Sequence, residues 1–296
     1  MTTLHETIIP EKRVRRITVL ISGSGSNLQA ILNSCGTDKL PNAQVTHVIS
    51  SRSNAYGLTR AKTHKPSIPT SVCALKTFQN RNPGSTREHY DLEIARQVVE
   101  SKPDLVVLAG WMHILSDKFL EILNGEKPPP PAPALPPPQI NSLPTKSDEI
   151  KLPSLDKLKI SDKNENEQKK KDEVEVKEES SSSSTSESKL PEPPLHQSFP
   201  IPIINLHPAL PGAFDGANAI GRAFDSFQKG EITNTGVMVH KVIAEVDRGQ
   251  PLIVRDVEIK KEDKLEDLEA RIHEVEHQII VEGAKMVLEE LEKETR

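Results

Sequence analysis

Arg16-Ile17-Thr18-Val19-Leu20-Ile21-Ser22-Gly23-Ser24-Gly25-Ser26-Asn27 runs a short β-branched stretch into a turn of glycine and serine, and residues 28–33 behind it have a helical pattern. Strand, glycine-rich turn and helix form the opening unit of an α/β fold. The turn sits where a helix N-terminus offers free N–H groups and the positive end of its dipole. Glycines let an anion approach the backbone, and the serines add hydroxyl donors. Two glycines alone are a weak signal. Leu28 occupies the third glycine position of a dinucleotide fingerprint, and no Lys-Ser/Thr follows to make a P-loop. By itself the stretch reads equally well as a phosphate or carboxylate cradle and as a tight turn.

The same alternation continues on both sides of it. Residues 45–51 read as a second strand, 55–64 as a helix ended by Pro66, and 70–74 as a short third strand. Residues 85–100 carry Ile94, Ala95, Val98 and Val99 at helical spacing, and 104–109 form an apolar strand that runs into Gly110-Trp111-Met112-His113. Downstream come a strand from Ile201 to His207, a helix over 217–229, and strands over 236–244 and 252–259. In the first of these last two, Val237 and Val239 alternate with Met238 and His240. Residues 263–292 place Leu265, Leu268, Ile272, Val275 and Ile279 on one face of an amphipathic helix that should lie on the sheet, with Asp263 as its N-cap. The expected fold is α/β: a Rossmann-like open, mostly parallel twisted sheet flanked by helices, with right-handed crossovers.

A length of 296 residues suggests about two domains, but residues 124–200 are foreign in composition. They hold Pro128-Pro129-Pro130-Pro131, Pro136-Pro137-Pro138, the block Lys169-Lys170-Lys171 with Glu173 and Glu175, and a run from Ser180 to Ser184. Such composition buries too little apolar surface to offset ordering entropy, so a disordered insert is expected. What remains, roughly 220 residues, suits one α/β core. The expected organisation is a single domain over 14–296, interrupted by the insert, with 1–13 as a flexible tail. Lengthening a connection from about 5 to about 75 residues costs only about 2.4 kcal/mol. Deleting residues 127–196 is therefore expected to keep activity and slightly raise stability. The proline runs could dock SH3, WW or profilin-like partners as polyproline II, and the serines could be phosphorylated.

The formal net charge of −5 argues against a nucleic-acid or anionic-membrane binder. Residues 1–16 carry Glu6 and Glu11 and lack the apolar core of a signal peptide. No apolar run approaches the roughly 20 residues of a membrane span. Cys35 and Cys73 have neither metal nor disulfide spacing, which fits a reducing, cytoplasmic compartment.

Chemistry concentrates downstream of the insert. In Asn205-Leu206-His207-Pro208 a carboxamide and an imidazole lie two residues apart on a strand and so share a face. Pro208 turns the chain out of the sheet, leaving both at a C-terminal strand edge, where open α/β sheets place ligands. A lone strand histidine is more often structural, and Asp247, in Ala244-Glu245-Val246-Asp247-Arg248-Gly249, could merely shape a turn. Near the imidazole, however, it would orient the ring and favour its protonated form. His273-Glu274-Val275-Glu276-His277 matches the inverted zinc-peptidase string, yet only nineteen residues follow and hold no further histidine. A solvated or substrate-facing helix edge, with Glu276 gripping an amine, fits better.

Several stretches occur together in one order: residues 19–29, 108–115 (Leu-Ala-Gly-Trp-Met-His-Ile-Leu), 205–210 (Asn-Leu-His-Pro-Ala-Leu), 236–240, 245–249 and 271–277. As a set they resemble the folate-dependent phosphoribosylglycinamide formyltransferases, in particular the fungal single-function form, over nearly everything but the first dozen residues and the insert. The resemblance implies transfer of the formyl group of 10-formyltetrahydrofolate to the amine of glycinamide ribonucleotide, with no metal. It implies Asn205, His207 and Asp247 as catalytic residues. Gly23, Ser24, Gly25, Ser26 and Asn27 would hold the ribonucleotide phosphate, with His273, Glu274, Val275 and Glu276 beside its amine. Arg87, the stretch Met112, His113, Ile114 and Leu115, Asn205, and the stretch Ile243, Ala244, Glu245, Val246 and Asp247 would embrace the folate. Protonated His207 and the Asn205 amide would stabilise the oxyanion of the tetrahedral intermediate. Two departures stand out: Leu210-Pro211-Gly212 where many relatives read Leu-Leu-Pro, and Ile220 where a histidine is common. The alternatives are another folate formyl handler (a formyltetrahydrofolate hydrolase or transfer-RNA formyltransferase) or a non-catalytic scaffold presenting a proline-rich arm.

Overall fold

The two halves of the chain on either side of the insert contribute strands to one sheet. Residues 13–132, 189–244 and 247–294 are described by a computed structural model. The sheet has seven strands in the order β3-β2-β1-β4-β5-β6-β7. These are β1 (Arg15–Ile21), β2 (Ala43–Ser50), β3 (Thr70–Val72), β4 (Leu105–Leu108), β5 (Ile203–His207), β6 (Asn234–Lys241) and β7 (Pro251–Glu258). Strands β1 to β5 pair in parallel, whereas β6 and β7 are antiparallel additions at one edge. The mostly parallel sheet expected from the sequence is thus what the chain forms.

Helices cover both faces, which is why β4 has no polar side at all. On one face α1 (Ser26–Ser34), α2 (Tyr56–Thr63), α6 (Ala219–Gln228) and the long α7 (Leu265–Glu294) pack on Ile17, Val19, Val107, Ile204 and Val239. On the other, α3 (Leu75–Arg81), α4 (Arg87–Glu100) and α5 (Asp117–Leu123) pack on Leu20, Val106, Leu108 and Ile203. Helices α3 and α5 were not expected. Each spans seven residues, too few to show a period, and α3 buries no side chain fully. Asp263 does not cap α7 as expected. Its carboxylate accepts two bonds of 2.8 Å from Arg271, while Asp267 takes the Lys264 N–H at 2.9 Å.

Part of the expected insert belongs to the domain's edge. Ile201 N–H bonds the Leu123 carbonyl at 2.8 Å, so the chain re-enters directly beside α5. Lys102 Nζ donates to the carbonyls of Pro194 and Leu195 at 2.8 and 3.0 Å, and Gln197 Nε2 to that of Pro103 at 2.9 Å. Leu190 packs against the core, and Arg16 donates to Pro191. The arm 189–200 was misread because prolines offer no apolar period, yet their free carbonyls accept bonds from cationic side chains. Residues 133–188, with the remaining proline, charge and serine runs, and residues 1–12 of the expected tail lie outside the described residues.

Candidate active site

Strand order reverses between β1 and β4, and the C-terminal ends of β1, β4 and β5 open there, at the switch point where such sheets take ligands. The turn after β1 is built for close backbone approach. Gly25 has φ 71° and a Cβ on it would lie 2.5 Å from Gly57 Cα, so only glycine fits. Gly57 N–H bonds the Gly23 carbonyl at 3.2 Å, and Arg60 Nε bonds that of Ser24 at 3.0 Å. Helix α1 then starts at Ser26 without an acidic residue in its first turn, so its first amides face outward under a positive dipole.

Asn27 and Glu276 join this turn to α7. Asn27 is 8% exposed, its Nδ2 donates to Glu276 Oε2 at 3.2 Å, and its Oδ1 is buried without a partner. Glu276 is itself buried, and its Oε2 lies 2.9 Å from His273 Nδ1. The hydrogen bond to Glu276 holds the His273 pKa above its ordinary value. Of the other two residues of that stretch, Glu274 is exposed, as His273 is, and Val275 packs on the core. His277 Nε2 is buried and unpartnered, with burial the main cause of a lowered pKa. Among the described residues no group of three or more His, Cys, Asp or Glu is arranged to hold a metal ion.

On the β5 edge, Asn205 and His207 share a face as their spacing predicts, beyond Leu108. Asn205 Nδ2 donates to Asp247 Oδ1 at 3.1 Å and lies 3.2 Å from His240 Nε2. Asp247 sits at φ 53°, a left-handed turn that aspartate tolerates, and its Oδ2 takes the Gly216 N–H at 3.0 Å. Burial would raise its pKa, but the hydrogen bonds from His240 and Gly216, with the two imidazoles, bring it below the ordinary value. His207 is 4% exposed and its Nδ1 lies 3.5 Å from Asp247 Oδ2, too long for a good hydrogen bond. Burial therefore lowers the His207 pKa despite Asp247, whose charge only partly offsets it. Asp247 acts in the direction the sequence suggests, toward the protonated ring, but in the ligand-free protein burial acts more strongly, toward the neutral one. The ring's Nε2 is buried with no partner.

His240, absent from the expected site, is 2% exposed and stands directly opposite Asn205 in the β5–β6 register. Its Nδ1 lies 2.9 Å from the Lys241 carbonyl, which fixes Nδ1 as donor, and its Nε2 faces Asn205 Nδ2 at 3.2 Å and Asp247 Oδ1 at 3.4 Å. The alternation of Met238 and His240 signalled the face, but only strand pairing reveals the neighbour.

The expected folate stretches divide in the same way. Met112, Ile114 and Ile243 are 62%, 61% and 43% exposed, an unusual display of large apolar groups. Ala244 is also exposed, whereas Leu115 is core. His113 is held edge-on between Trp111 and Tyr90, at 5.3 and 5.6 Å between ring centroids, and burial lowers its pKa. Arg87 lies at the start of α4 with its guanidinium donating to the Ile114 carbonyl. Glu245 and Val246 lie outside the described residues. Of the two departures, Gly212 takes a φ of 76° and Ile220 packs on the core.

A glycine–serine turn at a helix N-terminus and a buried Asn–His–Asp cluster thus lie on one edge of the α/β sheet. The chain belongs to the formyl transferase family, whose pattern it matches over residues 15–126 and 161–283. Among similar proteins, a phosphoribosylglycinamide formyltransferase of Schizosaccharomyces pombe is 38% identical over 277 residues, 93% of this chain and 98% of the relative. One from Dictyostelium discoideum is 35% identical, covering 92% and 97%. The crystal structure of glycinamide ribonucleotide transformylase 1 from Symbiobacterium toebii is similar with a TM-score of 0.57 at 26% identity, covering 91% of this chain and 85% of that one.

Proposed function

We propose that this chain is an enzyme that transfers the formyl group of 10-formyltetrahydrofolate to the amine of glycinamide ribonucleotide, a step of purine biosynthesis. The observation that carries the mechanism is the buried Nε2 of His207, which has no hydrogen-bond partner of its own and lies on a ring beside Asp247 and Asn205. The folate co-substrate supplies an activated formyl carbon, and the exposed Met112, Ile114 and Ile243 offer apolar contacts for its flat ring.

In this reading the first amides of α1, with the Gly23–Asn27 turn, hold the ribonucleotide phosphate, and Glu276 takes the hydrogens at its amine end. The amine attacks the formyl carbon, forming the new C–N bond and an oxyanion. Neutral His207 accepts the amine proton at Nε2, and Asp247 stabilises the imidazolium that results. The charged ring then donates toward the oxyanion and returns its proton to the departing folate nitrogen as the old C–N bond breaks. Asn205 Nδ2 lies within hydrogen-bond distance of Asp247 and His240, at 3.1 and 3.2 Å, in the ligand-free state. It joins the oxyanion by exchanging one of these contacts. A preorganised donor of this kind is worth roughly 3–4 kcal/mol.

The organisation that goes with this reading is one formyltransferase domain with an insert in the connection before β5. The free thiols of Cys35 and Cys73, whose pKa values burial pushes up to about 11 and about 12, support a reducing, cytoplasmic setting. No helix among the described residues is long and apolar enough to cross a membrane. A role for the proline runs in docking SH3, WW or profilin-like domains rests on composition alone. The deciding test is a spectrophotometric formyl-transfer assay with three acceptors. Turnover with glycinamide ribonucleotide is expected; turnover only with water or with initiator transfer RNA would overturn the assignment in favour of another formyl-handling enzyme.

A further inference from the structure

The folate-side wall is a loop anchored in the core by Trp111 and Leu115, with the residues between them held by few hydrogen bonds. Residues 109–116 leave β4 through Gly110, at φ 77°, and expose Met112 and Ile114 to solvent. Two attachments hold this stretch between Trp111 and Ile114. Met112 N–H bonds the Ser22 hydroxyl at 3.0 Å, and Arg87 donates to the Ile114 carbonyl. Arg87 is a long, 39% exposed side chain and would hold no fixed direction unaided. Behind it stands Asp91, 1% exposed, whose Oδ1 takes Arg87 Nε at 3.0 Å one helical turn away. The same carboxylate faces the backbone N–H of Ser116, where the loop ends and α5 begins. The Tyr90 ring, 5.4 Å from the guanidinium, is fixed by its own bond to the Cys73 carbonyl at 2.8 Å and meets His113 edge-on.

We propose that Asp91 is a positioning residue for the folate site: through Arg87 and Ser116 it clamps the C-terminal end of the Met112–Leu115 wall, from Ile114 to Ser116, in the shape that receives the pterin. A buried carboxylate is costly unless fully paired. A helix that needed only packing at this position would carry an apolar residue. Asp91 touches neither substrate, so its influence is confined to the loop it holds. The inference rests on the proposed folate-binding role of that loop.

Asp91→Asn keeps the volume but lacks the charge that fixes the guanidinium. The expected result is a KM for 10-formyltetrahydrofolate raised about tenfold, with the KM for glycinamide ribonucleotide within twofold of wild type, a split general damage would not produce. Trp111, the sole tryptophan, lies in the loop and is buried, so its emission should shift to the red and be quenched more readily by acrylamide in Asp91→Asn. In an Arg87→Met background the Asp91→Asn change should add little, because the two act as one unit. If Asp91→Asn does not fold, Asp91→Glu, which keeps the charge but displaces the guanidinium, should give a smaller change of the same pattern. Unaltered folate KM and Trp111 emission in a folded variant, or equal rises in both KM values, would overturn the proposal. Failure of the wild-type enzyme to transfer formyl groups would instead sink the functional reading and leave the Trp111 readout standing as a test of the clamp.

Discussion

The two ends of the central strands use similar side chains to opposite effect. At the lower edge, Arg16 is 8% exposed and all three of its guanidinium nitrogens find acceptors, on Lys102, Ser101 and Pro191, while its backbone N–H bonds Asp104 at 2.8 Å. At the upper edge, His207 Nε2, Asn27 Oδ1 and Trp111 Nε1 are buried and have no partner. A buried polar atom left unpaired costs about 1–3 kcal/mol, so three of them around one cleft point to ligand atoms that pair with them. Around Arg16 the protein supplies the acceptors itself, with Gln197 Oε1 the buried atom left without a partner nearby.

The sharpest way to break that contrast is His207→Ala, expected to lower kcat about 10²–10⁴-fold with the thermal midpoint little changed, as general acid–base groups typically contribute. A folded variant with near wild-type turnover would end the catalytic assignment. The mirror experiment is Arg16→Ala, expected to cost about 2–3 kcal/mol of stability in denaturant titrations, with turnover per folded molecule unchanged. A fall in kcat in the folded protein would show that the two edges are coupled.

The pH dependence sharpens the comparison further. Burial lowers the pKa values of His47, His113, His207 and His277, whereas the hydrogen bond to Glu276 raises that of His273. The unfolded chain therefore binds more protons near pH 6, and stability should be full above about 6.5 and fall as pH drops through that value. Activity should likewise rise along an acid limb below 6.5 and then level off, since His207 must be neutral to accept a proton. Because Asp247 raises the His207 pKa, Asp247→Asn should move that limb to lower pH as well as slow the reaction. An acid limb that stays in place would remove Asp247 from the His207 titration. The smallest effect belongs to the insert. Replacing residues 133–188 by a glycine–serine linker should leave both KM values and kcat within twofold. Cutting back to 127–196, expected from composition to be harmless, should lower the thermal midpoint, because it removes the acceptors of Arg16 and Lys102.

The parallel sheet was legible because its strands are wholly apolar and its turns carry glycine, as in residues 16–27 and 104–110. The pair Asn205 and His207 was legible as a pair, since period two puts both on one face. The short α3 and α5, the cap of α7 and the arm 189–200 were not, because none carries a periodic apolar signal. The Ser116–Asp91 and Lys102–Pro194 contacts join residues too far apart in sequence for any local pattern to show them.

By itself the sequence determined the α/β class, the glycine–serine turn after β1 and the family, because these depend on local period, composition and motif order. Tertiary structure alone decided how the site residues behave. It placed His240 across from Asn205 and buried His207 deeply enough that desolvation outweighs the charge of Asp247. Protonation state and orientation depend on the solvent excluded and the neighbours supplied by strands and helices distant in the chain, and only the folded protein brings those together.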